Sequence, residues 1–222
     1  MKDLLNTITT GDARILSRQI PDESIDLIFT DPPYLREFLP LYGWLSEEAS
    51  RVLKPGGFLL AYAGVYHKQQ VMEDLSKHLD YFWDFVSVHS GNSPIMWQRK
   101  IISRHKSILA FVKGKGLPRC NVISLWIGSG GDKRFHTWGQ DESTARYYID
   151  CFSSSGDLVW EPFTGGGTTP AVCKVLNRSY IAFELDPVTA DIARKRLETV
   201  QPLLMPLDVV RPGLFDGSEV AR

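Results

Sequence analysis

Hydrophobic and polar positions in this chain follow a short period and a helical period by turns. Residues 25–30, Ile25-Asp26-Leu27-Ile28-Phe29-Thr30, are almost continuously apolar and bounded by turn residues, which predicts a strand buried in a sheet. Leu41, Trp44, Leu45, Ala49, Val52 and Leu53 then recur at helical spacing until Lys54-Pro55-Gly56-Gly57 stops the helix. A second buried strand is predicted over 58–62, followed by a helix whose inward side is Val71, Met72, Leu75 and Leu79. Upstream, a strand ends at Ile8-Thr9-Thr10, Gly11 makes the turn, and a weak helix over 13–19 is closed by Pro21. Downstream, strands are predicted over 81–88, 107–112, 157–160 and 180–183. A helix carries Ala145, Tyr148, Ile149 and Phe152 on one face, and another has Thr169 as its N-cap with Pro170 at its first position. The last helix is capped by Asp186-Pro187 and runs through Ala190, Ile192, Ala193 and Leu197. Strands alternating with helices imply an α/β, doubly wound, mostly parallel sheet. The stretches before 107 and over 114–139 are too irregular for core elements and read as surface insertions.

Composition adds bounds. The 222 residues, 43% of them hydrophobic, suit one compact domain over 1–200 with a low-signal tail at 201–222, expected to be partly disordered. Three cysteines, Cys120, Cys151 and Cys173, show none of the paired spacings of zinc sites or disulfide frameworks, so a reduced cytoplasmic setting and no metal are expected. Asp3 interrupts any leader-like apolar stretch, and no run reaches the length of a membrane span, so a soluble protein is expected. The net charge of −1 conceals an uneven distribution: residues 85–131 contain no acid but carry Arg99, Lys100, Arg104, Lys106, Lys113, Lys115 and Arg119. One face could therefore track phosphates, the plain alternative being a solvated basic loop.

Two motifs carry chemistry. Asp31-Pro32-Pro33-Tyr34 follows a buried strand, and so belongs at the carboxyl edge where open α/β sheets bind ligands. Pro33 forces Pro32 to be extended and neither has an N–H, which frees the Pro32 carbonyl to face a cleft beside the Asp31 carboxylate. Two acceptors aimed at one –NH2 group hold it with its lone pair exposed, while the Tyr34 ring can stack on the planar base that bears it. The second motif is Glu161-Pro162-Phe163-Thr164-Gly165-Gly166-Gly167-Thr168-Thr169-Pro170, a glycine-rich turn between strand and helix, with Glu184 ending the next strand. Glycines there let a ligand approach the backbone, and Glu184 suits ribose hydroxyls. Pro170 stands where a third glycine of G-x-G-x-x-G would fall and no Walker-type lysine follows, which leans away from dinucleotides and ATP hydrolysis.

Together these residues resemble the S-adenosylmethionine-dependent DNA methyltransferases that modify exocyclic amines, making N6-methyladenine or N4-methylcytosine. The resemblance runs from Thr10 to about Leu197 and rests on Gly11-Asp12, Asp31 to Tyr34, Leu53 to Gly57, Pro162 to Thr169, and Phe183-Glu184-Leu185-Asp186-Pro187. The target motif precedes the cofactor motif, which resembles the circularly permuted β group. What the resemblance implies is a Rossmann-like, seven-stranded methyltransferase sheet with an antiparallel strand and a short basic insertion. It also implies Asp31, Pro32, Pro33 and Tyr34 as catalytic residues, with Asp12, Phe163, Thr164, Gly165, Gly167, Thr168, Thr169, Glu184 and Asp186 around S-adenosylmethionine. Residues 89–140 would contain the target-recognition insertions, with Arg99, Lys100, Arg104 and Lys106 as candidate phosphate contacts. The implied partner is double-stranded DNA with the target base flipped, and a homodimer is left open.

The chain departs from the family at His136-Thr137-Trp138-Gly139-Gln140-Asp141, where His-Pro-x-Gln-Lys-Pro is usual, and at Glu161, where Asp is usual. Asp31 rather than Ser leads the tetrapeptide, which favours adenine N6 over cytosine N4. Alternative readings are a methyltransferase of RNA or protein amides and a catalytically silent nucleic-acid-binding module. Trp97, Trp126 and Trp138 could stack on bases, although packing is the commoner role for such tryptophans.

Overall fold

The computed structural model describes residues 1–88, 95–128 and 141–202. His136 to Gln140 and the tail from 203 lie outside the described residues. The chain opens with β1 (Thr7–Thr10), α1 (Ala13–Leu16) and β2 (Ile25–Thr30), then α2 (Pro40–Val52), β3 (Leu53–Ala63), α3 (Lys68–Leu75) and β4 (Asp80–Val88). A small hairpin, β5 (Ile95–Met96) and β6 (Ile101–Ile102), precedes β7 (His105–Val112) and β8 (Leu125–Ile127). The remainder is α4 (Glu142–Phe152), β9 (Leu158–Glu161), α5 (Thr168–Val175), β10 (Ser179–Glu184) and α6 (Pro187–Thr199).

The main sheet has the order β1-β10-β9-β2-β3-β7-β4-β8. Its strands are parallel except β7, which runs antiparallel to both β3 and β4. Eight strands are one more than the seven expected, because Leu125–Ile127 adds to β4 at the edge. That three-residue strand sits inside a stretch whose glycines and prolines made it read as an insertion.

Helices cover both faces, as the near-continuous apolar strands require. Leu27 and Phe29 of β2 face a cluster with Ala145, Ala171, Val172, Ala190 and Ala193 from α4, α5 and α6. Ile25 and Ile28 face the opposite cluster with Ala13, Leu45, Val52, Val71 and Leu75 from α1, α2 and α3. Ile25 escapes the strict alternation because the register with β3 shifts between Ile25 and Leu27.

Two boundaries differ from the sequence reading. Leu53 is the extended cap of α2 rather than its last turn, and the chain enters β3 directly, so Lys54-Pro55-Gly56-Gly57 begins a strand instead of separating two elements. The N-cap of α5 is Gly167 and not Thr169. The Thr169 hydroxyl is drawn away to donate to Glu161 Oε2 at 2.8 Å. Asp186 caps α6 as read, accepting from the Thr189 amide at 2.8 Å.

From β9 the chain winds toward β10 and β1, and from β2 it winds toward β3. The carboxyl ends of β9 and β2 therefore flank the point where the winding reverses, the place where such sheets leave a crevice. Among the described residues, no helix is long and apolar enough to cross a membrane.

Candidate active site

A cleft of about 910 Å³ opens at that point and is lined by both motifs. Asp31, Pro32, Pro33 and Tyr34 reach it from the loop after β2, while Phe163, Thr164 and Gly165 reach it from the turn after β9 and Thr168 and Thr169 from the start of α5. Glu184 and Asp186 enter from the end of β10, and Asp12 from the end of β1. Gly167 does not line it. Its φ of +79° places an added Cβ 3.1 Å from the Ala193 Cβ, so this glycine permits α5 to lie against α6.

The walls are tied together at their base by Glu161, which is buried. Its Oε1 accepts from the Thr30 hydroxyl at 2.6 Å and the Phe163 amide at 3.0 Å, and its Oε2 accepts from Thr169. The ends of β2 and β9 are thereby fixed to each other by one side chain. Burial is the largest influence on this carboxyl and pushes it up to about 8, against the three donors.

On the glycine side, the Gly165 amide donates to Glu184 Oε2 at 2.7 Å and the Asp186 amide to Oε1 at 3.0 Å. Each carboxylate oxygen keeps a further lone pair for a ligand. Gly165 has φ +50°, and a Cβ built on it would meet no protein atom within 4 Å, so the space beside its backbone is open. Asp12 caps α1 through the Arg14 amide at 2.9 Å and pairs with the Arg14 guanidinium at 2.6 Å. The hydrogen bond from Arg14 holds its carboxyl below the usual range.

On the tetrapeptide side the Tyr34 hydroxyl donates to Asp31 Oδ1. An added Cβ on Gly64 would lie 3.2–3.4 Å from Tyr34 atoms, so the ring packs directly on that glycine. Burial raises the Asp31 carboxyl above its ordinary value, opposed by the charge of Lys106 and the Tyr34 hydrogen bond. Burial, and secondarily Asp31, push the Tyr34 phenol well up, so Tyr34 is a neutral donor at any physiological pH.

The four basic candidates divide. Arg99, Lys100 and Arg104 are exposed, with the Arg99 guanidinium 4.3 Å over the Tyr66 ring. Lys106 instead lines the cleft, its Nζ 3.7 Å from Asp31 Oδ2. The signal for this lay in topology: β7 is antiparallel, so its first residues, not its last, come to the edge where parallel strands end, with Ser107 opposite Ala63. Sequence reading also passed over Thr30, whose hydroxyl completes the Glu161 bridge, and Arg14. Trp126 stacks on Tyr147 at 4.1 Å and is packing, whereas Trp97 is 79% exposed.

The N6_N4_Mtase family model, described as DNA methylase, matches residues 124–195. The type II methyltransferase M.HinfI of Haemophilus influenzae is 28% identical over 260 aligned positions, covering 91% of this chain and 71% of that protein. Over most of its length the chain is similar to DNA methyltransferases. Solved structures of this fold include TTHA0409 of Thermus thermophilus, a provisionally assigned DNA modification methylase (TM-score 0.75, 23% identity, 88% of this chain and 96% of that one). They also include the cytosine-N4-specific PvuII DNA methyltransferase (TM-score 0.74, 19% identity, 86% and 87%). The segment matched by the family model contains the glycine-rich turn and Glu184, while Asp31 to Tyr34 precede it in the chain.

Proposed function

We propose that this chain transfers a methyl group from S-adenosylmethionine to the N6 amine of adenine in double-stranded DNA. The observation that carries the reading is the convergence of the amine grip and the open glycine turn on one cleft. TTHA0409 has been solved in complex with S-adenosyl-L-methionine. The residues here fit that cofactor: open space beside the Gly165 backbone, a Glu184 carboxylate fixed by two amides, and Phe163 and Thr164 at the same wall. Glu184 would hold the ribose, Asp12 would lie by the adenine, and Phe163, Thr164, Gly165, Thr168, Thr169 and Asp186 would complete the pocket. The cofactor, when bound, supplies an electrophilic methyl group on a sulfonium.

Asp31 and the Pro32 carbonyl accept the two N–H groups of the target amine and leave its lone pair facing the glycine turn. Tyr34 stacks on the base, offsetting part of the few kcal/mol of flipping by about 1–3 kcal/mol. Because the attacking amine is neutral, positioning dominates over general-base catalysis. The exposed Arg99, Lys100 and Arg104 would hold phosphates and orient the duplex.

Treating unmethylated DNA with the protein and cofactor, then digesting it for mass spectrometry, tests the reading. N6-methyladenine is the expected product. N4-methylcytosine, the product class of the PvuII enzyme, would overturn the choice of base that rests on Asp31 leading the tetrapeptide. Labelled methyl appearing only in RNA or protein would overturn the choice of DNA.

A further inference from the structure

Lys106 is the one basic candidate that the fold withdraws from the surface. Its ammonium lies 3.7 Å from Asp31 Oδ2, 4.9 Å from the centre of the Tyr34 ring and 5.6 Å from that of Tyr62. Only a quarter of its side chain is exposed. An ammonium committed to a carboxylate and two ring faces is poorly placed to neutralise a phosphate, and well placed to govern the carboxylate. We propose that Lys106 is a positioning residue of the amine grip: it fixes Asp31 as a pure acceptor and steadies the Tyr34 ring, rather than contacting the DNA backbone. This rests on the function proposed above and gives one of its candidate DNA contacts a different task.

The physical need for such a partner follows from the surroundings of Asp31. The described groups that act on it are Tyr34 from its own loop, Tyr42 from α2, Tyr62 from β3, Glu161 from β9 and Lys106 from β7. Lys106 is the sole cation among them. A protonated Asp31 would carry an O–H donor where the grip needs a lone pair, so an amine held there would lose one of its two acceptors. Burial drives the carboxyl toward that state and Lys106 opposes it.

The test uses the full chain labelled with carbon-13 at the aspartate carboxyls, the Asp31 resonance being assigned with Asp31→Asn. In Lys106→Gln the Asp31 titration is expected to move up by about one pH unit or more. Methyl transfer to unmethylated DNA should then fall about tenfold on the acid side and recover as pH rises, with KM for DNA unchanged. Lys106→Arg should restore both properties. An Asp31 resonance that titrates at the same pH in Lys106→Gln overturns the proposal, as does a loss of transfer equal at every pH. If the wild-type protein methylates no DNA, the carboxyl titration still decides the Lys106–Asp31 coupling, while the proposed function alone fails.

Discussion

The loops after β9 and β2 end in one cleft but are built by opposite means. The glycine side is made of backbone: the Gly165 and Asp186 amides secure Glu184, and the Phe163 amide secures Glu161. On the tetrapeptide side, beside the Pro32 carbonyl, side chains do most of the holding: Asp31 and Tyr34 from the loop after β2 meet Lys106 from the distant β7. A backbone-built wall binds a ligand of fixed shape through contacts that few substitutions remove. A side-chain-built wall can develop charge and orientation at a reacting atom, but each of its members is individually replaceable. Damage to the two walls should therefore differ in kind.

The largest effect is expected at Asp31. Asp31→Ala removes an acceptor from the grip without touching the glycine side, so methyl incorporation into DNA should fall at least about a hundredfold, as for a misoriented nucleophile. Cofactor affinity by calorimetry should be unchanged. Loss of both would mean that the walls are not separable.

The mirror experiment is Gly165→Val, where a β-branched residue must adopt a positive φ at a cost of about 1–3 kcal/mol and project into open cleft. Cofactor affinity should drop about tenfold or more, and transfer with it. Gly167→Ala sharpens the contrast, since its Cβ would press on Ala193 rather than on a ligand. It should lower the melting temperature by several degrees while leaving the affinity of the folded protein nearly intact. Unchanged affinity in Gly165→Val would break the pocket assignment.

The same contrast decides what was legible in the sequence. The glycine wall lies within a continuous segment, so its strand, turn and acid could be read in order, and the sheet places them as read. Within that segment the cap of α5 is Gly167, because the demand of the buried Glu161 for donors is a tertiary fact that outweighs the capping preference of Thr169. On the other wall the tetrapeptide was legible and its charge partner was not. Lys106 belonged by local composition to a basic surface stretch, and only the antiparallel course of β7 brings it to Asp31. The edge strand β8 was lost for a related reason: three residues carry too little periodicity, and pairing with β4 supplies the order.

Glu161 joins the walls and offers a pH test of intermediate size. Its carboxyl is raised to about 8 in the folded protein from an ordinary value of 4.5. Between those values the folded state holds a proton that the unfolded chain releases, so this residue's contribution to stability is full at low pH and is lost as pH rises toward 8. In Glu161→Gln that part of the pH dependence should vanish, read as a smaller fall in melting temperature between about pH 5 and 8 than in the wild-type protein. An identical slope in the two proteins would place the titration elsewhere.

The smallest effects are expected at the hairpin of β5 and β6, outside either wall. Trp97, Ile101 and Ile102 are more than half exposed there, beside the exposed Arg99, Lys100 and Arg104. If these cations hold phosphates, removing one weakens binding a few-fold on any sequence and lowers the slope of log affinity against log salt by about one. Arg99→Ala, Lys100→Ala and Arg104→Ala should each do this, measured by fluorescence anisotropy on duplex DNA across a salt series. Lys106→Gln should leave the slope where it was, since its ammonium faces Asp31 in the cleft at 3.7 Å. A slope that fell equally in all four variants would return Lys106 to the DNA face, and with it the division between a wall that orients the base and a surface that holds the duplex.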